Sequence, residues 1–188
     1  MASWMIHLRV AQGIYEKLSL EHKTEFVMGN IAPDSGVPTA DGTGFVPDAE
    51  VSHFRTVDEN GIKDVHDDLF VARYFIKERR ENYNKREYAF YLWYWAHLLT
   101  DKLWASKIVY GAKEKYSDLF EQDNTDFWKK IKRDWYDLDF LYLKKPNKID
   151  DGDIRIREHD RQRIIYITTE LYEEKKHIIN QQIVYKLK

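Results

Sequence analysis

The stretch 85–110 repeats apolar side chains at helical spacing, with Ala89, Leu92, Trp93, Ala96, Leu99, Leu103 and Ile108 along one broad face. A face that wide must be covered, so a long helix clad by other helices is the predicted arrangement. Gly111 follows as a candidate terminator. The most apolar window, residues 88–104, contains His97, Asp101 and Lys102. It is too polar and too short to span a bilayer.

The flanking segments read the same way. Residues 4–20 carry Ile6, Val10, Ile14 and Leu18 four apart, with Ser3 placed to cap the first turn. A short second helix is predicted over 20–30. Residues 31–47 hold three of the four prolines and three of the eight glycines, which breaks helical continuity and predicts a long loop. Helix is predicted again over 64–81, over 124–143 up to Pro146, and over 157–188 beyond an acidic turn at 150–153. Strand signals are weak and no repeat is visible. The expected fold is all-α, in one domain over 1–188, with residues 1–145 as the core and the helix within 150–188 packed on it.

With 188 residues, one core can bury roughly two-thirds of the unfolded surface. There is no cysteine, so disulfides and thiolate metal sites are excluded, and a reducing cytoplasm is the expected location. A net charge of −2 with no block of one sign gives no basic face for nucleic acid. Residues 1–10 lack the apolar run and small-residue cleavage site of a signal peptide.

His97 and Asp101 stand four apart, so they share one helix face one turn apart, within an apolar surround. A buried carboxylate needs a partner. Either a hydrogen bond within the core or a shared cation would answer that need. His7 stands on the inward stripe of the first helix, Asp34 in the turn Pro33-Asp34-Ser35-Gly36, and His53 just past the loop. Singly these are a core histidine, a turn aspartate and a surface histidine. As a set, they are imidazole and carboxylate ligands suited to zinc.

Four segments in order carry a resemblance: Ser3-Trp4-Met5-Ile6-His7-Leu8, Gly29-Asn30-Ile31-Ala32-Pro33-Asp34, His53-Phe54, and His97-Leu98-Leu99-Thr100-Asp101 followed by Leu103-Trp104. Together they resemble the zinc-dependent phospholipase C family, in particular its small cytoplasmic bacterial members. The resemblance implies a helical phospholipase C/nuclease-like bundle that uses zinc-activated water to hydrolyse a small phosphoester or a lipid headgroup. It implies one zinc on Asp34, His53, His97 and Asp101, with Asp101 bridging to a second on His7, and Asp34 as the candidate catalytic base. In secreted members a terminal Trp also binds the second zinc, whereas Trp4 is not terminal here. The family's third zinc needs a histidine shortly after the H-x-x-x-D pair and then an H-x-x-x-E pair. Here no histidine follows Asp101 before His159, and Arg163 and Gln181 stand four residues after His159 and His177. One zinc, or two sharing Asp101, is therefore expected. Other divalent metals could use the same ligands. Arg55 and Lys102 are candidate phosphate-binding cations.

Two other readings compete. His66-Asp67, with His53 and Asp101, looks loosely like the H…HD…D pattern of the HD phosphohydrolases, which would leave His97 without a role. His66 among acidic residues at a helix start is also an ordinary N-terminal feature. The third reading is a non-catalytic helical interaction module braced by a structural metal, with Tyr91, Trp93, Tyr94 and Trp95 as a partner surface.

Overall fold

The computed structural model describes residues 2–18, 22–59 and 62–144. Helix is the dominant element, as expected. The turn at 150–153 and the helix over 157–188 lie outside the described residues. Helix α1 (Trp4–Leu18) starts where Ser3 Oγ accepts the Ile6 N–H at 3.3 Å. It buries Ile6, Val10, Ala11 and Ile14. Helix α2 (Lys23–Ile31) runs into a 3-10 turn (Ala32–Asp34) opened by Pro33.

The proline- and glycine-rich loop is folded into small parts. Strands β1 (Val37–Pro38) and β2 (Phe45–Val46) form an antiparallel hairpin in the register Val37↔Val46. Helix α3 (Ala49–Ser52) comes next, its first turn capped by Asp48, which accepts the Val51 N–H at 2.9 Å. A second antiparallel pair, β3 (Arg55–Val57) and β4 (Lys63–Val65), precedes α4 (Asp67–Tyr74).

This corrects the expected helix over 64–81. Its first residues are strand, and it breaks at Phe75–Ile76 before α5 (Lys77–Arg80). The physical reason is packing. Phe70, Tyr74 and Phe75 turn inward onto Phe54, Tyr91, Tyr94 and Trp95, and an unbroken helix would carry some of these rings away. The sequence between β3 and β4 holds Asn60-Gly61, a strong hairpin signal.

The central helix is α6 (Lys85–Trp104). Its start is a full capping box: the Asn84 side chain accepts the Arg86 and Glu87 N–H groups, and Glu87 accepts the Asn84 N–H at 2.9 Å. Gly111 does not end this segment. The chain passes through a π-helical turn (Ala105–Val109) into α7 (Tyr110–Lys115), with Ile108, Val109 and Ala112 still in the core. Helices α8 (Ser117–Gln122) and α9 (Asn124–Lys144) complete the described chain. From α9, Phe127, Ile131 and Trp135 join α1, α2 and α6 in one core.

Two backbone features fix how α2 and α3 sit about α6. Helix α2 lies so close to α6 that a Cβ on Gly29 would sit 2.3 Å from the Phe90 carbonyl oxygen. Phe54 adopts a left-handed backbone (φ 50°), a strained choice for a bulky residue, and this turns the chain between α3 and β3. Its ring is held edge-on by Phe70 and Tyr74.

Candidate metal centre

Four elements far apart in sequence bring His7 (α1), Asp34 (3-10 turn), His53 (end of α3), and His97 and Asp101 (α6) together. His7, His97 and Asp101 are each at most 2 % exposed, and His53 is buried as well. Asp34 is the most open of the five, with 11 % of its side chain exposed.

The distances are short. His53 Nε2 lies 3.1 Å from Asp34 Oδ1 and 3.4 Å from His97 Nε2. Asp101 Oδ2 is 3.7 Å from His53 Nε2 and 3.8 Å from His97 Nε2. Ligands bound tetrahedrally at zinc–ligand lengths stand about 3.3 Å from one another. The four separations straddle that value. His7 stacks flat on His97, with centroids 3.6 Å apart and planes 6° apart, and places Nε2 3.3 Å from Asp101 Oδ1. His7, His97 and Asp101 form one candidate ligand trio, and Asp34, His53 and His97 a second.

Outer contacts set the ring orientations. His97 Nδ1 faces the Asn30 carbonyl at 2.7 Å. A carbonyl can only accept, so Nδ1 carries the proton and the neutral ring turns the Nε2 lone pair into the cluster. His53 Nδ1 meets Ser52 Oγ at 2.9 Å. The Ala2 N–H donates to Asp101 Oδ1 at 2.8 Å. Burial pushes His97 down to about 3, reinforced by His7 beside it, so the ring is neutral at ordinary pH. For Asp34, burial acts upward and is the largest single effect, but the His53 hydrogen bond together with His97 and His7 outweighs it, and the carboxyl lies below its usual value. The same contest at Asp101, decided by His7 and His97, holds it below its usual value too.

The donor set fits a divalent cation by a second measure. Asp101 Oδ2 and both ring nitrogens of His7 are buried without a hydrogen-bond partner among the described residues. Orphaned buried polar atoms are costly, and an unpaired carboxylate oxygen beside an unpaired imidazole lone pair marks a place where a positive charge is wanted. Asn30 Oδ1 is orphaned as well.

The remaining sequence candidates lie elsewhere. Lys102 binds Asp67 at 2.7 Å, and that carboxylate holds its ammonium above the usual value against the opposing effect of burial. Asp67 also accepts from Trp95 Nε1 at 3.4 Å. His66 Nε2 meets Thr56 Oγ1 at 2.7 Å. Neither His66 nor Asp67 belongs to a candidate ligand trio among the described residues. His66 occupies the N-cap position of α4, but its side chain does not cap. Arg55 sits on β3, paired with Val65 across the hairpin. A groove of about 970 Å³ between that hairpin and the end of α6 is lined by Val65, His66, Leu99, Lys102 and Leu103 among others, and by none of the five cluster residues. Trp4 is half exposed, in contrast to His7 one turn further on.

The aromatic stretch of α6 is mostly interior. Trp93 is fully buried against Phe26, and Tyr91, Tyr94 and Trp95 pack into the second cluster around Phe70. The expected open partner face is therefore largely used up within the fold. The sequence pattern alone does not assign the roles of Asn30, Ser52 and the Ala2 N–H. Ser52 stands directly before a candidate ligand and Asn30 follows a glycine at a helix crossing, which are the signals it offers.

No helix among the described residues is long and apolar enough to cross a membrane. Comparison with protein-family models, curated proteins and solved structures finds no match to this chain.

Proposed function

We propose that this chain is a metal-dependent phosphoester hydrolase of phospholipase C-like architecture, acting in the cytoplasm, with zinc held by Asp34, His53, His97 and Asp101. The observation that carries the reading is the convergence of those side chains, with His53 Nε2 3.1 to 3.7 Å from Asp34, His97 and Asp101 and with Asp101 Oδ2 lacking a hydrogen-bond partner among the described residues. His7 faces the other oxygen of Asp101. It is therefore the ligand available to a second ion sharing that carboxylate. His97 offers only one free nitrogen, so it serves one ion at a time.

Four protein ligands fill a tetrahedral zinc, so an ion here would supply a water acidified to a pKa of about 7, and a Lewis acid for a phosphoryl oxygen, only by taking a fifth ligand or by releasing one carboxylate. The chain's own groups do the rest. Asp34 is ionised and the least buried of the cluster, so it is the group best placed to accept a proton. His97 and His53 are held by their outer oxygens and do not need to reorganise as rings. The preferred substrate class is a small phosphoester or a lipid headgroup. Lys102 would serve it only by leaving Asp67.

A structural metal is the second reading, favoured by the depth at which His7, His97 and Asp101 lie. The test is metal content of the purified chain, followed by a panel of phosphomonoesters and phosphodiesters with and without zinc. Zinc-dependent turnover that disappears in His97→Ala is the expected result. Zinc bound without turnover on any ester identifies a structural site. The HD-type reading would instead be supported if His66→Ala and Asp67→Asn stripped the metal while His97→Ala kept it.

A further inference from the structure

We propose that Ser52 is a positioning residue of this centre, whose hydroxyl lets His53 change the ring nitrogen that carries its proton. The inference rests on the metal-centre reading above and assigns an outer residue to it.

The two imidazoles facing each other across the cluster are tied differently. His97 Nδ1 meets a backbone carbonyl, which accepts in every state, so its tautomer is preset. His53 Nδ1 meets Ser52 Oγ at 2.9 Å, and a hydroxyl can donate or accept. On its other edge, His53 Nε2 faces the Asp34 carboxylate at 3.1 Å. An ionised carboxylate only accepts. In the metal-free chain, Nε2 therefore carries the proton, and the Ser52 hydroxyl donates to the Nδ1 lone pair. To bind an ion, Nε2 must release that proton. Binding through Nε2 requires the tautomer with its N–H on Nδ1, so one N–H breaks at Nε2, one forms at Nδ1, and the net change is zero. Ser52 Oγ then accepts from Nδ1–H.

Both residues are buried, so water is a poor substitute for this partner. Ser52 is fixed in place from three sides. Its carbonyl accepts the Tyr94 hydroxyl at 2.6 Å. Its N–H bonds the Asp48 carbonyl at 2.9 Å. The chain then turns away at the left-handed Phe54. A side chain at position 52 without a hydroxyl would leave the metal-competent tautomer with an unpaired buried N–H.

The test uses the full chain, zinc, and two variants, Ser52→Ala and Ser52→Thr. Circular dichroism establishes that each folds, and zinc affinity is read by competition with a chromophoric chelator. Ser52→Ala is expected to bind zinc about 10- to 100-fold more weakly, and Ser52→Thr to recover most of that loss. Nitrogen-15 spectra of the unmutated chain are expected to show the His53 proton on Nε2 without zinc and on Nδ1 with it. They decide the matter even if Ser52→Ala does not fold. Affinity within about twofold of the parent in Ser52→Ala, a Ser52→Thr variant as weak as Ser52→Ala, or a zinc-loaded His53 still protonated on Nε2 each overturns the assignment. If the unmutated chain binds no zinc, the metal-centre reading itself falls, which is a separate outcome.

Discussion

His97 is the residue on which the site's chemistry turns. Its ring is fully buried, stacked on His7 and tied to Asn30. Its folded-state value near 3 lies well below that of an exposed histidine, because burial and the neighbouring His7 penalise the charged form. The unfolded chain therefore takes up this proton first as pH falls. The stability tied to the neutral ring is present above about pH 6.5 and is lost progressively between there and about pH 3. Asp34 and Asp101 act in the same direction at lower pH, since both are held below the usual carboxylate value. Thermal melts of the metal-free chain should show a Tm that falls from pH 7.5 to pH 5. A Tm unchanged over that range would contradict the burial of a neutral ring. Asp101→Asn removes the charge that faces three imidazoles. It is expected to lower zinc affinity by about 100-fold or more while the helical circular dichroism signal persists. At this scale the sequence was informative about residue type but not about partners. The spacing of His97 and Asp101 is visible in the sequence, yet Asn30 acts through its carbonyl and Ala2 through its N–H. Backbone contributions leave no trace in side-chain identity.

Among the elements, the contact of α2 with α6 governs the site. Gly29 permits the close approach, and that approach brings the Asn30 carbonyl onto His97. In Gly29→Ala the methyl group must displace backbone at Phe90, not a flexible side chain. A loss of about 1–3 kcal/mol in stability is expected, together with weaker zinc binding as Asn30 shifts. Gly44→Ala is the control. Its Cβ would have its nearest neighbour at 3.8 Å, so melting temperature and zinc affinity should both stay as they are. At the start of α6, Asn84→Ala removes the capping box. It should cost about 1 kcal/mol in urea unfolding and leave zinc affinity unchanged, because the cap lies far along α6 from His97. The long periodic helices α1, α6 and α9 were legible because a wide apolar stripe has one economical reading. The strands β3 and β4 were not legible. Each is three residues long, too short for alternation to register, and only Asn60-Gly61 between them signals a turn. The π-helical turn after Trp104 was likewise invisible, because Ile108 and Ala112 keep an apparent helical period through it.

Across the whole molecule, the five cluster residues span the chain from position 7 to position 101 and tie α1, the 3-10 turn, α3 and α6 to one point. An ion on Asp34, His53, His97 and Asp101 would cross-link the 3-10 turn, the end of α3 and α6, and a second ion on His7 would add α1. Stripping the metal should destabilise the molecule as a unit, and zinc at 100 times its Kd would add about 2.7 kcal/mol to stability. A chelator should thus lower Tm in a single cooperative step, and zinc should restore it. An unchanged Tm would mean that the ion is not bound by these elements together. The convergence itself was the least legible feature. Each of His7, Asp34 and His53 has an unremarkable local setting, and only the tertiary arrangement of α1 and α3 about α6 makes them neighbours. The most direct measurement is a crystal structure of the zinc-loaded chain, with anomalous differences collected at the zinc edge. The expected result is a peak about 2.0–2.2 Å from His53 Nε2, His97 Nε2 and oxygens of Asp34 and Asp101. A zinc peak elsewhere, or a cluster that stays free of zinc at saturating concentration, would contradict the proposed centre.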